Sequence, residues 1–194
     1  MDPFLILFQL LIIGIYLYRW KIINRFSDQT KILFTEHFKE MRFSMGKWWK
    51  TIFIPIVVIF ICFLIWILIY ILIFNQTPHF PLEDPFLLYL FESGILAPIS
   101  EQLIQCFFIS LVFLAIQKHY KNKWVIFGLN FIGLIFISFL FAIVHFNPYP
   151  MNWLLKFFLF MIYGAFFYLN ERNMLPSIIA HSSWNMMMLI PTMI

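Results

Sequence analysis

Charge is what this chain lacks most. Of its 194 residues only 11% are Asp, Glu, Lys or Arg, while 63% are hydrophobic. A soluble domain is about a quarter charged and about half apolar. Water cannot solvate the remainder, so a soluble globular fold is excluded and one multi-pass membrane unit is expected. Cysteine is scarce too. Cys62 and Cys106 both sit inside apolar runs, which excludes a disulfide framework and leaves them as small buried hydrophobes. The net charge of +4 is concentrated in one loop and is no nucleic-acid footprint, so membrane lipid and not nucleic acid is the expected partner. Internal repeats, a low-complexity tail and a soluble domain are all missing. The start carries Asp2 and no small-x-small cleavage site follows, which argues against a cleaved signal peptide.

What is present is a series of apolar runs. Residues 3–18 form the first, anchored at its end by Arg19, Trp20 and Lys21. Residues 19–50 hold eight of the thirteen Lys and Arg, interleaved with Ile32, Leu33, Phe34, Phe38, Met41, Phe43 and Met45. That pattern predicts an amphipathic helix in the headgroup region. Residues 51–74 are a second span, with Pro55 in its first turn. Residues 75–85 make a loop with Glu83 and Asp84. Residues 86–117 run longer than one crossing needs, and Pro98 is expected to divide them into a short or re-entrant piece and a spanning helix to Gln117. After the loop at 118–123 come spans at 124–146, 151–170 and 175–194. Gly128 and Gly133 are candidate close-packing points. The fold class is therefore all-α, a polytopic helix bundle of about six transmembrane helices plus an interfacial helix. Residues 1–84 are read as an N-terminal membrane region and residues 85–194 as the core. Lys and Arg in successive loops number 8, 0, 3, 0 and 1, which places residues 19–50, 118–123 and 171–174 on the cytoplasmic side.

Three runs carry polar residues where lipid would not tolerate them. Ionisable groups at bilayer depth are costly and mark functional sites by default. Glu101 and Gln105 stand at i, i+4, as do Phe141 and His145, and His181 and Asn185, so each span presents one polar stripe. Together they offer a carboxylate, two imidazoles and an amide. A carboxylate can take a proton from water, and an imidazole can orient that water or protonate a leaving amine. A second imidazole and Asn185 can donate to the oxyanion of a tetrahedral intermediate. No Ser or Cys has a base beside it in sequence, so water is the expected nucleophile. Glu101, His145 and His181 are also a candidate zinc ligand set, though no HExxH pair is present. The competing account is plain packing: a hydrogen-bonded His, a neutral Glu, and Asn185 bonding between helices.

These segments resemble the CPBP family, the CAAX proteases and bacteriocin-processing enzymes also called Abi. The family's EExxxR motif follows a small-Pro-hydrophobic run. Here it reads Ala97-Pro98-Ile99-Ser100-Glu101-Gln102-x-x-x-Cys106. FxxxH is intact at Phe141 and His145, and HxxxN at His181 and Asn185. Gly164, the Tyr168–Arg172 stretch and Leu175–His181 match the approach to the third motif. The resemblance covers residues 85–188. It implies an intramembrane endopeptidase in which Glu101 activates water, His145 orients it, and His181 with Asn185 stabilises the oxyanion. Gln102, Gln105 and Phe141 would support them, and a zinc ion is the one cofactor it raises. Gln102 replaces the second Glu and Cys106 the Arg, two residues that can pair in the family. Losing one alone would leave a buried charge unpaired at a cost of roughly 3–5 kcal/mol; here both are neutral. The other reading is a non-catalytic membrane protein acting in bacteriocin self-immunity or regulating a membrane partner. The Phe, Ile, Lys and Asn bias points to a bacterial plasma membrane. A transporter is disfavoured, because one polar cluster and no inverted repeat are present.

Overall fold

The computed structural model describes residues 3–74, 86–145 and 150–189, and all regular structure in them is helical. The elements are α1 (Pro3–Leu17), α2 (Arg19–Ile23), α3 (Asp28–Glu40), α4 (Ile54–Phe74), α5 (Phe86–Phe91), α6 (Ala97–His119), α7 (Lys123–Val144), α8 (Pro150–Leu169) and α9 (Leu175–Met187). Short π-helical turns, Trp49–Phe53 and Glu92–Leu96, lead into α4 and α6. Among the described residues, three helical stretches are long and apolar enough to cross a membrane: Trp49–Ile73, Leu87–His119 and Lys123–Val144. Phe4–Leu17 and Trp153–Leu169 are shorter apolar helices. The expected loop at 75–85, the Asn147-Pro148-Tyr149 end of the fourth span and residues 190–194 of the last lie outside the described residues.

Polarity runs inside out. Ser100, Gln102, Gln105, Ser110, Asn130, Ser138, Ser177 and His181 are buried, while Phe60, Leu64, Leu68 and Leu72 on α4 and Phe131, Ile132 and Phe136 on α7 are exposed. Lipid solvates such a surface, and a helix satisfies its own backbone there. The chain is an integral membrane protein built as a helix bundle. α6 lies at its centre, against α1, α3, α7, α8 and α9. One apolar cluster joins α6 and α7 to the roots of α8 and α9 through Leu103, Ile109, Phe113, Leu134, Phe167 and Met174. A second joins α4, α8 and α9 through Ile59, Phe63, Trp66, Leu159, Tyr163 and Trp184. α8 approaches its neighbours closely because Gly164 has no side chain: a Cβ there would fall on Leu134 and within 2.9 Å of Ile109 Cδ1.

Several boundaries differ from the sequence reading. Residues 86–119 are neither broken nor re-entrant at Pro98. The helix continues through a π-helical turn, and Pro98 occupies the first turn of α6, where a missing N–H is tolerated. The basic stretch forms two helices, and α3 docks on protein through His37, Phe38 and Met41. Gly133 is a close contact, since a Cβ would lie 2.7 Å from Val112 Cγ1, but Gly128 has nothing within 4 Å. α9 begins deep. Asn173 and Met174 before it are buried, so His181 reaches the level of Glu101 although it lies so few residues beyond the exposed Glu171.

The root of α9 is tied to the segment after α3. Arg42 N–H donates to Arg172 O at 2.9 Å and Met174 N–H donates to Arg42 O at 2.8 Å. Asn173 Oδ1 accepts from Ser44 N–H at 3.1 Å, and its Nδ2 donates to Ser44 O at 2.7 Å. Residues 19–50 and 171–174, which the charge count put on one side, therefore meet.

Candidate active site

Glu101 sits in the second turn of α6, His145 caps the C-terminus of α7, and His181 lies in the middle of α9. Glu101 Oε2 is 3.2 Å from His145 Nε2 and 3.8 Å from His181 Nε2. His145 Nδ1 donates to Phe141 O at 2.8 Å, one helical turn back, which fixes the ring and turns Nε2 to the carboxylate. Nε2 and Oε2 at this separation must share a proton or a bridging group, since two lone pairs would repel. Aromatic rings hold both imidazoles. Tyr163 stacks on His181 at 4.7 Å and 16°, and Phe160 lies 5.0 Å from His145.

Two cavities meet at this point. One, of about 410 Å³, is the more polar and carries Glu92, Glu101, His145, Lys156, His181 and Asn185. The other, of about 540 Å³, is walled almost wholly by apolar side chains of α1, α6 and α7. Leu5, Gln9, Glu101 and His145 border both. A chain in the apolar cavity can thus reach Glu101 without leaving the bundle.

Asn185 lines the polar cavity, and its Nδ2 donates to Ser93 O at 2.6 Å. That carbonyl is open for a reason. In the π-helical turn Ala97 N–H goes to Glu92 O, and the next residue, Pro98, has no N–H to offer. Gln105 Nε2 donates to Phe160 O at 2.8 Å and fastens α6 to α8, away from the carboxylate. Phe141 supplies the carbonyl under His145, and its ring packs 5.3 Å from Phe160. Gln102 is fully buried, with Nε2 3.1 Å from His181 Nδ1 and Oε1 2.5 Å from Ser177 Oγ. Cys106 is fully buried in the apolar cluster, with the Ser177 hydroxyl beside its thiol.

Four residues at the site escaped the sequence reading. Lys156 Nζ donates to His145 O at 3.3 Å. Glu92 accepts from Gln9 Nε2 at 3.1 Å and from Ser93 Oγ at 2.8 Å in the lining of the polar cavity. Both are ionisable groups in apolar runs, the same signal that singled out Glu101. Tyr163 and Ser177 carried no such signal.

Zinc needs at least three protein lone pairs around one point. Glu101 Oε2 and His145 Nε2 supply two. His181 does not supply the third, because the Gln102 amide N–H occupies its Nδ1 lone pair and leaves the ring proton on Nε2, the nitrogen facing Glu101. Among the described residues no three His, Cys, Asp or Glu side chains gather to hold a metal. The donor set in this arrangement does not fit zinc.

Residues 82–187, more than half of the chain, match the family model described as type II CAAX prenyl endopeptidase Rce1-like. No curated protein and no solved structure matches the chain.

Proposed function

From the chain's membership of the type II CAAX prenyl endopeptidase Rce1-like family, which is a protease family, we propose that it is an intramembrane endopeptidase that hydrolyses a peptide bond of a membrane-associated peptide or protein. The observation that carries this reading is the convergence of Glu101, His145 and His181, from three helices, where a polar and an apolar cavity meet. The apolar cavity suits the lipid-embedded part of a substrate. The polar one suits water and the scissile bond.

Glu101 takes the proton from the attacking water, and His145, held by Phe141 O, orients that water and carries the proton onward to the leaving amine. His181 Nε2–H donates to the oxyanion. Asn185 adds its second amide hydrogen, the first being on Ser93 O. Lys156 steadies His145 from behind and offsets the charge of Glu101. Such stabilisation needs donors fixed before substrate arrives, and the hydrogen bonds of His145 to Phe141 O and of Asn185 to Ser93 O support that.

Peptide termini profiled by mass spectrometry in the native host decide between this and a binding-only protein, such as a factor in bacteriocin self-immunity. Wild type, a deletion, Glu101→Gln and His145→Ala are compared at matched membrane levels. One peptide is expected to lose its mature terminus in the deletion and in both variants. Unchanged termini, with a deletion phenotype rescued by both variants, would overturn the endopeptidase reading.

A further inference from the structure

Gln102 stands where the resemblance expects a second carboxylate, and its surroundings give it a task. It is fully buried, as is Ser177, and His181 is 6% exposed. The order of atoms in this chain can be read from distance. Gln102 Oε1 and Ser177 Oγ are 2.5 Å apart. That is within the range of O–H···O bonds and shorter than N–H···O bonds allow, about 2.7 Å and above. The oxygen of the amide therefore faces Ser177, whose hydroxyl donates to it, with Tyr163 O at 2.8 Å as a second acceptor of the same hydrogen. The amide nitrogen then faces His181 Nδ1 at 3.1 Å and must donate to it. A neutral imidazole that accepts at Nδ1 carries its proton on Nε2. Nε2 is the nitrogen turned to Glu101, 3.8 Å away.

We propose that Gln102 and Ser177 are positioning residues that hold His181 as a neutral imidazole with Nε2–H aimed into the site, committing it to donate a hydrogen bond to the substrate oxygen. A carboxylate at position 102 would do the opposite. It accepts only, so it would hold a proton on Nδ1, and Nε2 could then donate only from a charged ring. The substitution of Gln for the expected Glu thus sets the polarity of the imidazole, and Ser177 sets the polarity of the amide. The tautomer stands on the geometry alone; its use in catalysis rests on the endopeptidase reading above.

The test is ¹⁵N NMR of the full chain, labelled at its histidine rings, in lipid nanodiscs. His181 is assigned from a His181→Gln sample. The wild type is expected to show His181 Nδ1 unprotonated and Nε2 protonated. Gln102→Glu is expected to place a proton on Nδ1. Gln102→Met, similar in size and unable to bond, is expected to give a mixture of both tautomers in a protein that still melts cooperatively. A wild-type Nδ1 that carries the proton overturns the proposal, and so does a Gln102→Glu protein with an unchanged His181 spectrum. If Gln102→Glu does not fold, the wild-type and Gln102→Met spectra decide. With a cleavable substrate in hand, Gln102→Met is expected to lower kcat with KM unchanged, by the fraction of His181 that loses Nε2–H, about twofold for an even mixture. Wild-type protein without peptidase activity would end the endopeptidase reading and leave the spectra to judge the tautomer.

Discussion

His37 shows how a single buried side chain can govern the docking of a helix. It is 1% exposed between α3 and α6, edge-on to Phe107 at 4.3 Å, and among the described residues neither ring nitrogen has a hydrogen-bond partner. Burial, with the charge of Arg172 added, pushes its pKa from 6.5 down to about 4. The folded value lies below the unfolded one, so the neutral ring is the form that fits. Its contribution to stability is complete above about pH 6.5 and is lost as pH falls from there toward 4. The melting temperature in detergent is expected to drop across that window, and His37→Phe to flatten the drop; equal slopes in both proteins would contradict it. Residues differ in how plainly sequence announces them. Glu101, His145 and His181 stood out because charge and imidazole in apolar runs are rare. Lys156 and Glu92 bore the same mark, but no motif drew them together. Ser177 was silent, because a lone Ser in a helix is common and its partners, Gln102 on α6 and the Tyr163 carbonyl on α8, are brought to it only by the fold.

At the scale of elements, helix existence was legible and helix joints were not. Long apolar runs fix where α4, α6, α7 and α8 lie. A π-helical turn instead of a break at Glu92–Leu96 depends on where Ala97 N–H finds its acceptor, which no periodicity shows. The same joint explains Asn185, whose amide fills the carbonyl that Pro98 leaves open. A double-mutant cycle of Pro98→Ala and Asn185→Ala is expected to return a coupling of about 0.5–1.5 kcal/mol in thermal or denaturant unfolding. Additive effects would show that the two are independent. Helix contacts divide the glycines in the same way. Gly164→Ala overpacks against Leu134 and Ile109 and should cost about 1–3 kcal/mol. Gly128→Ala meets nothing and should stabilise by up to about 1 kcal/mol through helix propensity. Melting temperatures that move the same way for both would contradict this packing.

At the scale of the molecule, the matched stretch at 82–187 and the stretch that builds the site are not the same length. Trp184 of α9 packs on Phe63 at 5.8 Å and Trp66 at 5.9 Å, both from α4. α1 closes both cavities through Leu5 and Gln9. Residues 82–194 expressed alone are therefore expected to give no monodisperse, cooperatively melting species in detergent, whereas co-expression with residues 1–81 restores one. A well-behaved 82–194 fragment would show that the N-terminal helices are dispensable to the core. The pairing of Arg42 with the residues before α9 carries a mechanical consequence. α9 has thirteen residues, about 20 Å of helix against a hydrocarbon thickness of about 30 Å, so matching to the bilayer cannot set its depth. Its root is pegged instead to a backbone tether at residues 42–44. The height at which His181 rides in the membrane is thereby dictated by the surface segment, as a plumb line is by the hook from which it hangs.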